Sequence, residues 1–253
     1  MLADTWHLFG KYMRITLRMP MWTFFTLIQP LIWLVIFGQL FRNMYQASVP
    51  AGGHYMDFLV PGIVIMTVLF GSAWSGVSLL RDITSGTVDR MLVSPVSRVA
   101  IVLSRVLHSA AQVVVQSVII LLLAVLLGAK ISLNPLHLGL MLVIVMLLGI
   151  AFASVSNGLA ILLQREEPLV AIGNLMTLPL MLFSSALMPV ALMPEWIRTV
   201  AHFNPIDHAV AAVRSVLIAP MDAGTYAIGF SVVAVFAAVT TGWAISAFNS
   251  LRD

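Results

Sequence analysis

The ionisable side chains of this chain do not form the pattern of a known catalytic or metal centre. His202, Asp207 and His208 could suggest a metal site, but they lack the His-Glu-x-x-His spacing, and Pro205 interrupts the stretch between the two histidines. The sequence contains neither a Gly-x-Ser-x-Gly nucleophile turn nor a cysteine that could supply a thiolate. We therefore predict no catalytic residue and no metal site, and an intramembrane hydrolase is disfavoured.

One line of polar side chains has helical spacing. Arg105, His108, Gln112 and Gln116 follow one another at intervals of three, four and four residues, so they share one face of a helix. Two interpretations remain open. This face either lines a translocation path near its cytoplasmic mouth, or it hydrogen-bonds to neighbouring helices while Arg105 extends to the membrane surface. The candidate path also includes polar residues of two other apolar segments, namely Gln29, Asn174 and Thr177.

The composition indicates that lipid surrounds most of the chain. Of the 253 residues, 60% are hydrophobic and only 9% are charged, and the mean hydropathy is +1.03. A soluble domain carries roughly 25% charged residues, so this chain has too few charges to cover a surface in water. The net charge of +3 comes from cations in short connections. We interpret those cations as determinants of membrane topology, and we expect no nucleic-acid partner.

Six apolar segments are long enough to cross a membrane, which takes about 20 residues in a helix. We expect helices because lipid cannot satisfy free backbone groups. The predicted spans are Trp22–Phe41, Phe58–Leu80, Val99–Leu127, His137–Leu163, Leu169–Val190 and Tyr226–Phe248.

The distribution of cations predicts the orientation of these spans. With the N-terminus inside, nine of the thirteen Lys and Arg residues fall on the cytoplasmic side and four on the outer side. Inner connections carry the excess of cations, so both termini are predicted to be cytoplasmic. Residues 1–20 are predicted to form an amphipathic helix on the inner membrane surface. Residues 191–225 are predicted to form short helices at, or dipping into, the outer interface.

The cytoplasmic connection 81–98 is charged, yet apolar residues lie in its middle. Thr87 can cap a short helix that begins near Val88, and Ser94-Pro95 would end it. Apolar side chains in a solvated loop favour a knob that fits a groove on a partner, although a helix lying flat on the lipid surface is the alternative. Those side chains belong to Met91, Leu92 and Val93.

This loop resembles the coupling region of ABC-2 type permeases, where an Arg-Glu-x-x-Gly-Thr-x-Glu-like run precedes Leu-x-Val-Ser/Thr-Pro and a basic residue. Asp82 and Asp89 stand in place of the glutamates, and the matching residues are Gly86, Thr87, Leu92, Ser94, Pro95 and Arg98. The run from Asp57 to Gly62 is similar to the Phe-x-x-Pro-Gly entry of the family's second span. The run from Asn204 to Arg214 is similar to its outer Asn-Pro…Arg element, with Ala211 where many members carry an acid.

The resemblance covers nearly the whole chain and is closest to the daunorubicin-resistance type of drug-export permease. It implies one all-α membrane domain over residues 1–253, with an N-terminal interfacial helix, six transmembrane helices and a short external re-entrant helical segment. It also implies ATP-driven export of an amphipathic, lipid-like or drug-like substrate by two permease copies and two ATPase subunits. The residues expected to couple to the ATPase are Asp82, Gly86, Thr87, Asp89, Arg90, Met91, Leu92, Ser94 and Pro95.

The chain has no Gly-x-x-x-x-Gly-Lys-Ser/Thr phosphate loop. We therefore expect a transport subunit that is not an enzyme and binds no cofactor, with ATP and Mg²⁺ held by the partner ATPase. An ion-coupled secondary transporter is one alternative, but it would require an acid or a broken helix in mid-membrane, and the predicted spans contain no Asp or Glu. A polysaccharide or lipo-oligosaccharide export permease of the same family is another, and a purely structural membrane subunit is a third.

Overall fold

A computed structural model describes residues 2–18, 20–40, 55–93, 97–218 and 220–249, and within these ranges the chain is helical without strands. The predicted all-α class is therefore confirmed for the described residues. The helices are α1 (Leu2–Arg18), α2 (Pro20–Leu40), α3 (Tyr55–Thr84), α4 (Thr87–Leu92), α5 (Arg98–Leu126), α6 (Pro135–Leu163), α7 (Glu166–Leu182), α8 (Glu195–His202), α9 (Pro205–Leu217) and α10 (Ala223–Asn249), with a 3-10 turn at Val190–Leu192.

Four helices are long and apolar enough to cross a membrane, namely α3, α5, α6 and α10. They have 27 to 30 residues each. Each contains one of the predicted spans, except that α5 ends at Leu126, one residue before the predicted end. Leu107, Leu122 and Val239 are among their outward-facing apolar side chains. Lipid must cover such side chains, since an apolar surface of this extent is not stable in water.

The first and fifth predicted spans differ from the other four. The described apolar stretch of α2, Phe25–Leu40, is shorter than a span. The prediction of one continuous helix over Leu169–Val190 is wrong, because α7 ends at Leu182 and the chain then turns through Phe183–Pro189. Pro179 lies three residues before that end and has no N–H for the helical ladder. Hydrophobicity alone did not reveal this break, since the residues on both sides of it are apolar.

Helix α6 lies at the centre of the fold and packs against α3, α5 and α10. Small residues allow the backbones of α3 and α6 to approach closely. A Cβ atom on Gly76 of α3 would lie 2.1 Å from the Ser156 carbonyl oxygen of α6. At the same place the Gly76 N–H donates to Ser156 Oγ (2.9 Å), and Ser156 Oγ donates to the Ala73 carbonyl (2.6 Å). Close backbone contact and interhelical hydrogen bonds replace the hydrophobic effect, which does not drive helices together in lipid.

Contacts between connections define the two ends of the bundle. At one end Asp57, at the start of α3, accepts from the backbone N–H of Lys130 (2.6 Å), and the Ser132 N–H donates to the Leu217 carbonyl (2.8 Å). At the other end Arg81, near the end of α3, pairs with Glu166 at the start of α7 (2.8 Å). Helices α1 and α4 lie at this second end, and α8 and α9 lie towards the first. We call the second end the inner end and the first the outer end, after the orientation that the cations predict.

Candidate functional site

The predicted coupling helix exists and is set at the inner end of α3 by a glycine turn. Gly86 has φ 67°, a left-handed conformation that favours glycine, and its N–H donates to the Ile83 carbonyl (3.0 Å). Helix α4 begins at Thr87, one residue before the predicted start. Ser85 Oγ and Thr87 Oγ1 lie 2.9 Å apart across the turn. The Gly86-Thr87 pair therefore redirects the chain from the membrane helix α3 into α4.

The side chains of α4 point in two directions. Val88 is buried, and Met91 packs partly against the same inner core. Arg90 is exposed, and Val93, which follows the helix, is 89% exposed. Among the described side chains of this loop, Val93 thus presents an exposed apolar surface. Among the other predicted coupling residues, Ser94 and Pro95 lie outside the described part of the chain, as do the side chains of Asp89 and Leu92.

Asp82, predicted to act in coupling, lies against a residue predicted for the translocation path. Its carboxylate forms an ion pair with the guanidinium of Arg105, which comes from α5 and is only 4% exposed. The guanidinium also lies 4.7 Å above the ring of Tyr12 on α1. Arg105 therefore does not extend to the membrane surface as one interpretation proposed. Arg105 joins α1, α3 and α5, and its partner Asp82 lies five residues before the start of α4.

A cavity of about 240 Å³, which we call the inner cavity, lies beneath α1 beside this ion pair. The Thr16 hydroxyl and His108 Nε2 share a hydrogen bond (2.7 Å). Gln112 follows one turn further along α5 and also lines the cavity. Burial raises the pKa of the Tyr12 phenol, which lines the cavity. Its walls come from four helices, and the lining residues are Tyr12, Ile15, Thr16, Thr26, Gly71, Trp74, Ser75, Ser78, Asp82, Arg105, His108, Ser109 and Gln112.

The remaining candidate path residues lie beyond the inner cavity. Gln116 is buried, and its amide Nε2 donates to Thr26 Oγ1 on α2 (2.8 Å). A second cavity of about 220 Å³ lies between α2, α3 and α7 and brings together Gln29, Asn174 and Thr177. Trp74 borders both cavities. The polar face of α5 therefore lines a cavity and also hydrogen-bonds to neighbouring helices, whereas its role in a translocation path stays a prediction.

The turn Phe183–Leu187, which follows the break in α7, is a feature that the sequence did not predict. It is buried at Ser184, Ser185 and Ala186 although its backbone is not helical. Buried backbone groups require partners, and α9 supplies them. The side-chain amide of Asn204 donates to the carbonyls of Leu180 (2.6 Å) and Phe183 (2.8 Å).

Two further residues of α9 complete the contacts to this turn. Asp207 Oδ1 accepts from the Ser185 N–H (2.7 Å), and the Arg214 guanidinium donates to the Ser185 carbonyl (2.8 Å). The same guanidinium lies 3.9 Å above the ring of Phe58 on α3. Position 211, where many family members carry an acid, is alanine in this chain, and the described contacts of Arg214 include the backbone of the turn and the ring of Phe58.

Helix α3 closes the turn from the other side. A Cβ atom on Gly62 would lie 1.9 Å from the Ala186 carbonyl oxygen, and Tyr55 Oη donates to the Leu187 carbonyl (2.8 Å). We call this arrangement, formed by Phe58, Gly62, Asn204, Asp207 and Arg214 around residues 183–187, the outer clasp. The sequence shows the two motifs that contain these residues, but it does not connect them. Their common partner is the turn at residues 183–187, which has no sequence motif of its own.

The sequence profile of the ABC-2 type transporter family matches residues 3–218 of the 253. This chain belongs to the ABC-2 type transporter family. The match includes both ends of the bundle that are described above, with helix α4 at one end and the outer clasp at the other.

Named relatives agree with this assignment. The permease is 30% identical over 199 residues to the putative transport permease ycf38 of Cyanophora paradoxa, covering 78% of this chain and 68% of that protein. It is 27% identical over 220 residues to the daunorubicin resistance ABC transporter permease protein DrrB1 of Streptomyces coeruleorubidus, covering 84% and 76%. It is 26% identical over 189 residues to the probable doxorubicin resistance permease DrrC of Mycobacterium tuberculosis, covering 74% and 67%.

The family and the long apolar helices together establish a multi-pass membrane permease whose role is transport. The predicted resemblance to ABC-2 permeases is confirmed. Within the permease, the candidate residues fall into three places: the exposed tip of α4, the two cavities along α5 and α7, and the outer clasp.

Proposed function

We propose that this permease is the membrane subunit of an ATP-driven exporter, and that α4 transmits force from a separate ATPase subunit. Val93 carries this proposal, because it is an apolar side chain at 89% exposure at the end of a short helix between two membrane helices. Burying an aliphatic side chain of this size contributes roughly 1.5–3 kcal/mol, which a groove on a soluble partner would supply. The sequence has no phosphate loop, so ATP and Mg²⁺ would be held by that partner.

The placement of the cavities supports transport between the two ends of the bundle. The inner cavity lies within one turn of the end of α3, where α4 begins, and the second cavity lies between α3 and α7. Movement of α4 would reach both through α3, which lines each of them. The names of relatives that confer daunorubicin or doxorubicin resistance favour an amphipathic, drug-like or lipid-like substrate moving outwards. We further propose two permease copies, six spans including α2 and α7, an outer re-entrant segment, and α1 on the cytoplasmic face of a bacterial inner membrane.

The test replaces Val93 with Asp, which places a charge where the groove would be apolar. The matched control is Gln164→Asp in the exposed turn between α6 and α7 at the same inner end, where φ is 50° and Asp is well tolerated. ATPase capture and daunorubicin efflux are measured at equal membrane levels. We expect Val93→Asp to lose both and Gln164→Asp to keep both. Normal capture and efflux by Val93→Asp would exclude Val93 as the coupling contact.

A second measurement tests the division of labour. The purified permease alone is expected to hydrolyse ATP no faster than a protein-free control, and hydrolysis is expected to appear with the captured ATPase. Vanadate-sensitive turnover by the permease alone, at high purity, would contradict the proposal. Accumulation of daunorubicin that depends on ATP, rather than efflux, would contradict the proposed direction while leaving the coupling helix in place.

A further inference from the structure

The inner cavity has the composition of a binding site rather than of a packing defect. Its floor carries the Arg105–Asp82 ion pair, and hydroxyl and amide groups from Ser109 and Gln112 surround it. A volume of about 240 Å³ equals the space of roughly eight water molecules. A cavity so polar cannot remain empty, because buried charged groups require hydrogen-bond partners.

Arg105 has hydrogen-bonding capacity to spare. One of its terminal nitrogens pairs with Asp82, whereas Nε is buried and has no hydrogen-bond partner among the residues that the structure describes. The side chain as a whole is 4% exposed. A guanidinium presents its donors as a planar fork, which suits an oxyanion such as a phosphate. Arg105 belongs to the lining of the cavity, so its guanidinium can meet an acceptor of negative charge there.

Asp82 provides the opposite sign in the same space. Its side chain is 28% exposed and lines the cavity, so its carboxylate can also accept from a cationic donor. Arg105 and Asp82 are the two lining residues that carry full opposite charges, and the exposed cations Lys11 and Arg14 of α1 are not part of the lining. A purely anionic ligand would meet Asp82, and a purely cationic ligand would meet Arg105. A ligand that carries both signs satisfies both.

The exposed part of the cavity lining includes two large apolar side chains. Ile15 of α1 is 47% exposed and Trp74 of α3 is 41% exposed, and both belong to the lining. Helix α1 also exposes Leu17 and Trp6 along its length. The cavity thus combines a buried ion pair with exposed apolar side chains, at the end of the bundle where an amphipathic helix covers α5. This combination matches a molecule with a charged head and an apolar tail.

We propose that the inner cavity is a binding site for the head of a zwitterionic amphiphile, with its oxyanion on Arg105, its ammonium on Asp82 and its tail leaving past Ile15 and Trp74. This site belongs to the permease itself and does not depend on an ATPase partner. Two sources share this chemistry: a phospholipid that resides in the inner leaflet, and an amphiphile that the permease transports.

The probe is a lysophospholipid with a phosphoethanolamine head, compared at equal chain length with lysophosphatidylglycerol, which is anionic, and with an alkyltrimethylammonium, which is cationic. Binding to the purified permease is measured by quenching of tryptophan fluorescence with a tail-labelled form of each. We expect the zwitterion to bind about tenfold more tightly than either competitor, since one charge-assisted hydrogen bond changes an affinity by about that factor.

Two variants test the residues. Asp82→Asn with Arg105→Gln removes both charges together, so no unpaired charge stays buried. It should lose the preference for the zwitterion. The control is Arg81→Gln with Glu166→Gln, an exposed ion pair at the same end that does not line the cavity, and it should bind as the wild type does. Ser78→Trp, at an exposed residue of the lining, fills the cavity without disturbing the core and should abolish binding of all three probes.

The outcome is decisive in each arm. Equal affinity for the three head groups, or an unchanged preference in both the neutral pair and Ser78→Trp, would overturn the proposal. Selective binding that these variants remove supports it. Vesicles that contain the permease and the ATPase then distinguish the two sources of the ligand. Movement of the labelled zwitterion between leaflets identifies a transported amphiphile, and retention without movement identifies a resident lipid. Failure of ATPase capture would leave the binding measurement unaffected.

Discussion

At the scale of single residues, the described polar side chains in the apolar helices are mostly held by specific partners. Gln116 hydrogen-bonds to α2, and Arg105 pairs with Asp82. The side chain of Asn204 makes three hydrogen bonds: its oxygen accepts from the Ile206 N–H (3.0 Å) at the start of α9, and its amide donates to the carbonyls of Leu180 and Phe183 at the end of α7. A side chain with such a role cannot be replaced by an apolar one without leaving buried carbonyls unsatisfied.

We predict that Asn204→Ala destabilises the permease by about 2 kcal/mol or more, because it removes a helix cap and two hydrogen bonds to buried carbonyls. The comparison is Thr199→Ala in the neighbouring α8, where an exposed hydroxyl donates to the Glu195 carbonyl (3.0 Å) and the expected change is within about 0.5 kcal/mol. Denaturation midpoints of the two variants in detergent provide the measurement. Equal midpoints would show that the Asn204 contacts do not hold the turn.

At the scale of elements, the break in α7 is the feature that most changes the architecture. An uninterrupted helix from Leu169 to Val190 would have placed Ser184 on a helical face. Instead the chain turns after Leu182, and α9 and α3 contact this turn from opposite sides. The contact with α3 requires a residue without a side chain, since the Ala186 carbonyl lies against Gly62.

Gly62→Ala is predicted to disrupt the outer clasp. An added methyl group would lie 1.9 Å from the Ala186 carbonyl oxygen. The backbone of a buried turn cannot move away without a large cost in stability. The matched control is Gly139→Ala in α6, where nothing lies within 4 Å of the added atom. That change should be neutral or slightly stabilising, because alanine favours a helix more than glycine does. Thermal stability and membrane yield of both variants decide the point, and similar losses in the two would argue against a specific contact.

At the scale of the whole molecule, the proposed coupling helix α4 and the outer clasp lie at opposite ends of helix α3. Helix α3 carries Phe58 and Gly62 at its outer end and leads into α4 at its inner end. A rigid helix that joins the two would let a movement at one end alter contacts at the other. The cation count, nine inside against four outside, predicts the orientation of this axis in the membrane.

The orientation is testable with single cysteines, since the chain has none. Ser85→Cys lies at the exposed turn before α4, and Met221→Cys lies at the exposed turn before α10. An impermeant maleimide added to intact cells should label the cysteine at position 221 and should reach the cysteine at position 85 only after permeabilisation. The reverse pattern would invert the proposed topology, and labelling of both from outside would contradict the placement of the two turns at opposite ends.

The amino-acid sequence by itself determined the class, the family and the long helices of this permease. These follow from local quantities: the hydropathy of Phe58–Leu80 or His137–Leu163, and the order of short motifs such as Gly86-Thr87. The start of α4 was predicted to within one residue, because a turn glycine and a capping hydroxyl act over a few neighbouring positions.

Only the tertiary structure decided which distant residues meet. Asp82 and Arg105 are 23 positions apart, and Phe58 and Arg214 are separated by 156, so no local pattern joins them. The break after Leu182 had the same origin: an apolar run permits a helix, but Asn204, Asp207 and Arg214 offer its backbone other partners. In lipid, hydropathy shows that a segment is buried in the membrane. The supply of hydrogen-bond partners from elsewhere in the fold decides whether it stays helical.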